Sequence, residues 1–207
     1  MLYRICRAIL YGWLRLCYGF EVSGAEHLPE KGPVIVVSNH TNLIDPIVVG
    51  CSLRQRQVCF MAKEELFRIP LLGGLVRRLG AFPVKRGKGD RGAFRAALGI
   101  LSADQVLGMF PEGTRHKDGK IHPLRPGAAL LAVESGAMIL PMVITGTERL
   151  KIFRFPRIKA YVGPAFKLAG DNSKKELIRT GTEEIYRHLI ALEKKAEIAT
   201  EKWAKSL

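Results

Sequence analysis

Hydrophobic and polar positions follow one another along the chain in blocks whose period changes, and each block predicts an element. Leu2 to Phe20 is apolar at most positions. Its three charges, Arg4, Arg7 and Arg15, fall within roughly 80° of one another at the helical period. The segment predicts an amphipathic helix with a broad apolar surface and a narrow basic stripe. Its Tyr and Trp residues suit a water–lipid boundary, so it either lies in a membrane surface or packs on a core. Pro33 to Ser38 is a β-branched run and reads as a buried strand. Asp45-Pro46 opens a helix reaching about Arg56, with Asp as N-cap and Pro at the first helical position. Further strands are expected over 58–62, 80–84, 106–110, 138–145 and 157–162. Helices are expected within 64–79 and over 89–103, 127–135 and 172–205, the last with a candidate break at Gly181. This alternation predicts an α/β fold: a single domain with a mixed, mostly parallel sheet flanked by helices, and reactive groups in loops beyond the strand ends.

Length sharpens the picture. The 207 residues suffice for one core, divided here into an amphipathic membrane-association segment, 1–22, and a globular domain, 23–207. The longest stretches free of Asp, Glu, Lys and Arg, 32–44 and 135–147, are 13 residues each. A spanning helix needs roughly 20 apolar residues, so none is expected, and no signal-peptide cleavage pattern stands out. Four cysteines form no C-x-x-C pair and no metal-ligand spacing with histidine. Disulfides and a metal site are therefore not expected, and a reducing cytoplasm fits.

Charge changes the picture more. A formal net charge of +14 calls for an anionic partner: nucleic acid, an anionic bilayer or an acidic carrier protein. The excess is local, with nine bases against three acids from Lys63 to Arg95. From Arg149 to Lys159 five bases alternate with apolar residues and no acid intervenes. That block is either a solvated rim or a patch whose apolar residues dip into lipid while its bases meet headgroups.

Two loops carry candidate chemistry. In Asn39-His40-Thr41-Asn42-Leu43-Ile44-Asp45 the Asp can fold back onto the His. It would then fix the tautomer and leave the other ring nitrogen as a base; alternatively Asp45 only caps the helix. In Phe110-Pro111-Glu112-Gly113-Thr114-Arg115, Gly113 permits a tight turn or close backbone approach. Thr114 and Arg115 offer donors suited to phosphate.

Taken together, the loops resemble the motifs of the glycerolipid acyltransferase family, the PlsC-like enzymes that convert lysophosphatidate to phosphatidate. His40 and Asp45 match its N-H-x-x-x-x-D block, and Lys63-Glu64-Glu65-Leu66, Pro70, Gly73 or Gly74, Gly80 and Arg86 its second. Phe110 to Arg115 match F-P-E-G-T-R, and Leu140-Pro141-Met142 the last block, which most members begin with Val or Ile. The resemblance covers roughly 30–165 and implies that 23–207 is an acyltransferase domain. It implies His40 as general base supported by Asp45, and Arg86, Gly113, Thr114 and Arg115 on the acceptor's phosphate. Lys63 and Lys85 are reserves, Glu112 organises its loop or meets the glycerol, and Pro141 shapes the pocket. No cofactor is implied; acyl-CoA or acyl carrier protein supplies the thioester.

The expected activity is acyl transfer to 1-acylglycerol-3-phosphate in phospholipid biosynthesis, with glycerol-3-phosphate or another lysophospholipid as alternative acceptors. Unlike many members, this sequence has no spanning segment before His40. That implies peripheral or monotopic association with the cytoplasmic face of the cell membrane. A non-enzymatic basic protein binding membrane or RNA is the competing reading, but no RNA-binding signature appears and nucleic acid is not the expected partner. A serine esterase would need a nucleophile elbow, and no G-x-S-x-G occurs.

Overall fold

The computed structural model describes residues 1–84, 91–150, 155–170 and 173–204, with the backbone alone from 200 to 204. In chain order the elements are α1 (Leu2–Tyr18), β1 (Glu21–Ser23), β2 (Val34–Ser38), α2 (Asp45–Ser52), β3 (Val58–Lys63), α3 (Leu72–Arg78), β4 (Ala81–Val84), α4 (Arg91–Ser102), β5 (Val106–Met109), α5 (Gly127–Ser135), β6 (Met138–Thr145), β7 (Lys159–Val162) and α6 (Lys174–Ala204). The strands form one sheet in the order β1-β7-β6-β2-β5-β3-β4. Every pairing is parallel except β6 with β7, so the expected mixed, mostly parallel α/β fold is the one observed.

Burial explains why β2 reads as a continuous β-branched run. It sits between β5 and β6, and every residue from Val34 to Ser38 is buried. Val34 and Val36 join the core under α1 and α2, whereas Ile35 and Val37 join the core under α4, α5 and α6. A parallel strand covered on both faces has no polar side to show.

α1 packs one side on the core and leaves another uncovered. Leu14 is fully buried, and Leu10 and Tyr11 pack on the same core. A second apolar row, Ile5, Ile9, Trp13 and Leu16, stays exposed. The helix closes on Gly19 in the left-handed conformation, its N–H donating to Leu14 O. The division expected at residue 22 cuts β1, where Val22 pairs with Ala160 of β7. Residues 1–22 are thus built into the fold rather than appended to it.

Three features of the elements differ from the sequence pattern. The edge strand β1 was absent from the sequence pattern, because three residues, Glu-Val-Ser, carry no usable periodicity. α2 ends at Ser52 rather than near Arg56, since the chain turns at Leu53 to bury that side chain completely. Arg56 then leaves the helix pattern to donate to the carbonyls of Pro29 (3.0 Å) and Gly32 (2.7 Å). α6 runs unbroken through Gly181. A Cβ there would stand 2.5 Å from Leu168 Cδ1, so this glycine permits close packing rather than ending the helix.

Among the described residues no helix is long and apolar enough to cross a membrane. All four cysteines are free.

Candidate active site

β2 and β5 are parallel neighbours, with Val34 opposite Val106 through Val37 opposite Met109. Their carboxyl ends therefore open at the same edge of the sheet, and the loops that leave them meet. The His116 N–H donates to the His40 carbonyl at 2.8 Å, and the Arg125 N–H donates to Pro111 O at 2.8 Å.

His40 is held on several sides. Its Nδ1 lies 2.9 Å from Asp45 Oδ2. With a carboxylate as acceptor, that bond places the proton on Nδ1 and leaves the lone pair on Nε2. The ring stacks on Phe110, centroids 4.0 Å apart and planes 16° from parallel. Phe110 in turn stacks near Phe60 at 5.9 Å. Asp45 is fully buried, and the same Oδ2 also accepts the N–H groups of Thr41 and Asn42, each at 2.7 Å. It is the first residue of α2 rather than its N-cap, which is Ile44. Its carboxylate faces back into the loop, so of the two sequence readings the geometry gives the folded-back pair.

Glu112 is buried and does not present its carboxylate to an open site. Oε1 accepts the His40 N–H at 3.0 Å and Oε2 accepts the His122 N–H at 3.3 Å. Burial pushes its carboxyl above the usual glutamate range; the two backbone bonds and the nearby imidazoles oppose that shift without cancelling it. Its side chain thus ties the His40 loop to the loop after β5. That second loop is further ordered by stacking of His116 on His122 at 3.7 Å, and His122 Nε2 sits 2.8 Å from Asp118 Oδ2. The bond to His122 holds the Asp118 carboxyl below its usual range.

Gly113 takes φ 77°, and its N–H donates to Phe110 O at 3.0 Å. A Cβ there would meet Arg125 Nε at 2.6 Å, so the tight turn requires glycine. A pocket of ≈ 210 Å³ is lined by His40, Lys63, Phe110 and Gly113, among others. Thr114 and Arg115 are exposed in the same turn, between Gly113 and His116. Lys85 and Arg86 lie outside the described residues. Pro141 stands apart: it pairs with Val37 in mid-sheet, accepts the Gly163 N–H at 2.8 Å, and does not line the pocket.

Phe60 and Met61 also line a second cavity, ≈ 280 Å³ and almost wholly apolar, walled by α1, α2, β3 and the 64–79 segment. The pocket at His40 and this apolar space share Phe60 and Met61 as a wall. Charge at the block 149–159 is partly internal: Lys159 Nζ lies 3.2 Å from Glu21, while Phe155 is exposed with its ring tilted against Tyr18, centroids 5.6 Å apart. Residues 151–154 lie outside the described residues.

Sequence reasoning missed the supports of the His40 loop. Asn39, buried, exchanges both side-chain bonds with the backbone of Ile144, accepting its N–H at 2.8 Å and donating to its carbonyl at 2.9 Å. Thr147, fully buried, bonds hydroxyl to hydroxyl with Thr41 at 2.7 Å, and its carbonyl accepts Asn42 Nδ2 at 3.0 Å. A buried threonine just past a strand gives no one-dimensional signal. Among the described residues no group of three or more His, Cys, Asp and Glu side chains could hold a metal ion.

The arrangement can take a proton at His40 Nε2, hold the resulting imidazolium against Asp45, and leave space for an apolar chain next door. Comparison with known proteins points the same way. A family model described as Acyltransferase matches residues 19–145. A 1-acyl-sn-glycerol-3-phosphate acyltransferase of Bacillus subtilis is 27% identical over 199 residues, covering 95% of this chain and 99% of that protein. A protein of the same name from Streptococcus pneumoniae is 35% identical over 118 residues, covering 56% of this chain and 43% of that one. The crystal structure of the 1-acyl-sn-glycerophosphate acyltransferase PlsC from Thermotoga maritima superposes with a TM-score of 0.73 at 26% identity. It covers 92% of this chain and 78% of that one.

Proposed function

Since the chain belongs to the Acyltransferase family, we propose that it transfers an acyl chain from a thioester to the free hydroxyl of a 1-acylglycerol-3-phosphate, forming phosphatidate. The observation that carries this reading is the His40–Asp45 pair, with Nε2 left to act, beside a pocket that shares a wall with an apolar cavity. The curated relatives named for the same reaction support it.

In this reading His40 Nε2 takes the proton of the acceptor hydroxyl as its oxygen attacks the thioester carbonyl. Asp45 steadies the imidazolium that forms. The tetrahedral intermediate collapses, the C–S bond breaks, and the imidazolium returns its proton to the leaving thiolate. Most of the acceleration comes from holding hydroxyl and thioester together. The phosphate is gripped by Gly113, Thr114 and Arg115, with Arg86, Lys63 and Lys85 supplying further positive charge. The apolar cavity takes an acyl chain. The donor is acyl-CoA or acyl carrier protein, and no tightly held cofactor is required. The outward apolar row of α1 seats the protein on the cytoplasmic face of the membrane, peripheral or monotopic, so that both lipids enter from one leaflet.

The test is direct. Purified protein incubated with labelled lysophosphatidate and each donor should yield labelled phosphatidate. The His40→Ala protein should yield none while still sedimenting with vesicles. Product only with glycerol-3-phosphate or another lysolipid would move the acceptor within the family. Turnover unchanged in His40→Ala would remove the proposed chemistry.

A further inference from the structure

The segment from the end of β3 through α3 carries an apolar tip that lines neither the His40 pocket nor the apolar cavity. Ile69, Leu71, Leu72 and Leu75 are all exposed, Leu71 at 94%. Leu71 also adopts φ 63° and ψ −49°, a region that side chains of this size rarely enter. The Leu72 N–H donates to Pro70 O at 2.7 Å, closing a three-residue γ-turn of the strained, positive-φ kind. Glycine would make this turn without strain. The chain instead places there a leucine that almost no protein covers. Backbone strain and an exposed large apolar side chain coincide at one residue, and nothing among the described residues offsets either.

The surroundings indicate what offsets them. Arg68, Arg77 and Arg78 are exposed on the same short segment, and Arg77 lies over the Phe67 ring at 5.2 Å. Leu66, Val76 and Leu79 of this segment wall the apolar cavity from one side, and Tyr3, Cys6 and Leu10 of α1 wall it from another. Leu43, on the same wall, is 74% exposed. The tip is therefore tied through that cavity to the helix whose outer row is also apolar. A small apolar tip flanked by Arg77, Arg78 and an Arg68 that lies 2.9 Å from Glu64 suits the headgroup boundary of an anionic bilayer.

We propose that Ile69–Leu75 is a lipid wedge, a second membrane contact separate from α1 that inserts Leu71 below the headgroups beside the mouth of the apolar cavity. The wedge rests on the reading that this chain draws its lipid substrate from a bilayer. It adds a defined point of entry, set by a strained turn, to the helix contact. Arg68, Arg77 and Arg78 meet the anionic headgroups, and the strain at Leu71 is offset by burial of its side chain in lipid.

The experiment is co-sedimentation of the full chain with mixed phosphatidylcholine–phosphatidylglycerol vesicles, comparing wild type with Leu71→Gly and Leu71→Asp. Glycine relaxes the turn, so the melting temperature of Leu71→Gly should hold or rise while vesicle affinity falls about tenfold, the loss of one buried leucine side chain. Leu71→Asp should bind more weakly still. Vesicle affinity equal to wild type in Leu71→Gly would overturn the wedge, as would a lowered melting temperature in that variant with affinity intact, which would mark a purely structural leucine. A parallel assay with short-chain, monomeric lysophosphatidate and thioester separates the two readings. Leu71→Gly should turn these over at the wild-type rate. Failure of every form, wild type included, to transfer the acyl group would end the proposed activity while leaving the vesicle result standing.

Discussion

At Asp45 one oxygen carries the whole load: Oδ2 accepts from His40, Thr41 and Asn42, while Oδ1 is buried with no partner among the described residues. Asp45→Asn can keep a carbonyl toward the three donors, but it loses the charge that steadies an imidazolium and buries an amide without an acceptor. We expect kcat to fall roughly 10²- to 10⁴-fold with KM little changed, read in steady-state assays on the two proteins. Glu112 gives a prediction in pH. Burial raises its carboxyl above the ordinary value near 4.5, so above that value the folded chain holds a proton that the unfolded chain has released. Stability from this group is therefore greatest at low pH and falls as pH rises through the raised value. Paired thermal melts should show wild type losing stability relative to Glu112→Gln as pH climbs from below 4.5 toward neutrality. A constant difference across that range would contradict the buried-carboxylate account.

Elements deliver these residues because strand register is shared. Gly108 on β5 faces Phe60 of β3, and a Cβ there would stand 2.2 Å from the ring. That absence of a side chain lets Phe60 lie close to Phe110, which carries His40. Gly108→Ala should lose about 1–3 kcal/mol of stability through overpacking and lower kcat as the ring stack is displaced. Denaturant unfolding together with turnover measures both, and a variant with wild-type kcat would show that the stack does not set the imidazole. At this scale β2, α5 and the end of α4 were legible in sequence within a residue or two, since apolar runs leave few alternatives; the expected start of α4 lies outside the described residues. β1 and the end of α2 were not, because each is fixed by a partner distant in the chain, β7 in one case and the buried seat of Leu53 in the other.

For the molecule as a whole, the proposed seat on a bilayer draws on both the net charge of +14 and the uncovered apolar row of α1. Association with anionic vesicles should weaken steeply between about 0.1 M and 1 M salt, as the screening length drops from ~10 Å to ~3 Å. Neutral vesicles should show a weaker, salt-insensitive association from the apolar row alone. Sedimentation over a salt series on both lipid compositions checks this, and equal binding to both at low salt would deny the bases a part.

The order of residues alone determined that the chain alternates strand and helix, because hydrophobic period and turn chemistry are written directly into local pattern. Its resemblance to a known family then singled out the 39–45 and 110–115 loops, with His40 as candidate base. Only the tertiary structure decided that Asp45 turns back to the imidazole instead of capping α2, that Glu112 is a buried tie, and that Asn39 and Thr147 hold the loop against β6 and the turn beyond it. The bonds from Asn39 and Thr147 span more than a hundred positions. Hydrogen bonds of that reach exist only once the sheet has brought β2 and β6 side by side, and no reading along the chain contains that adjacency.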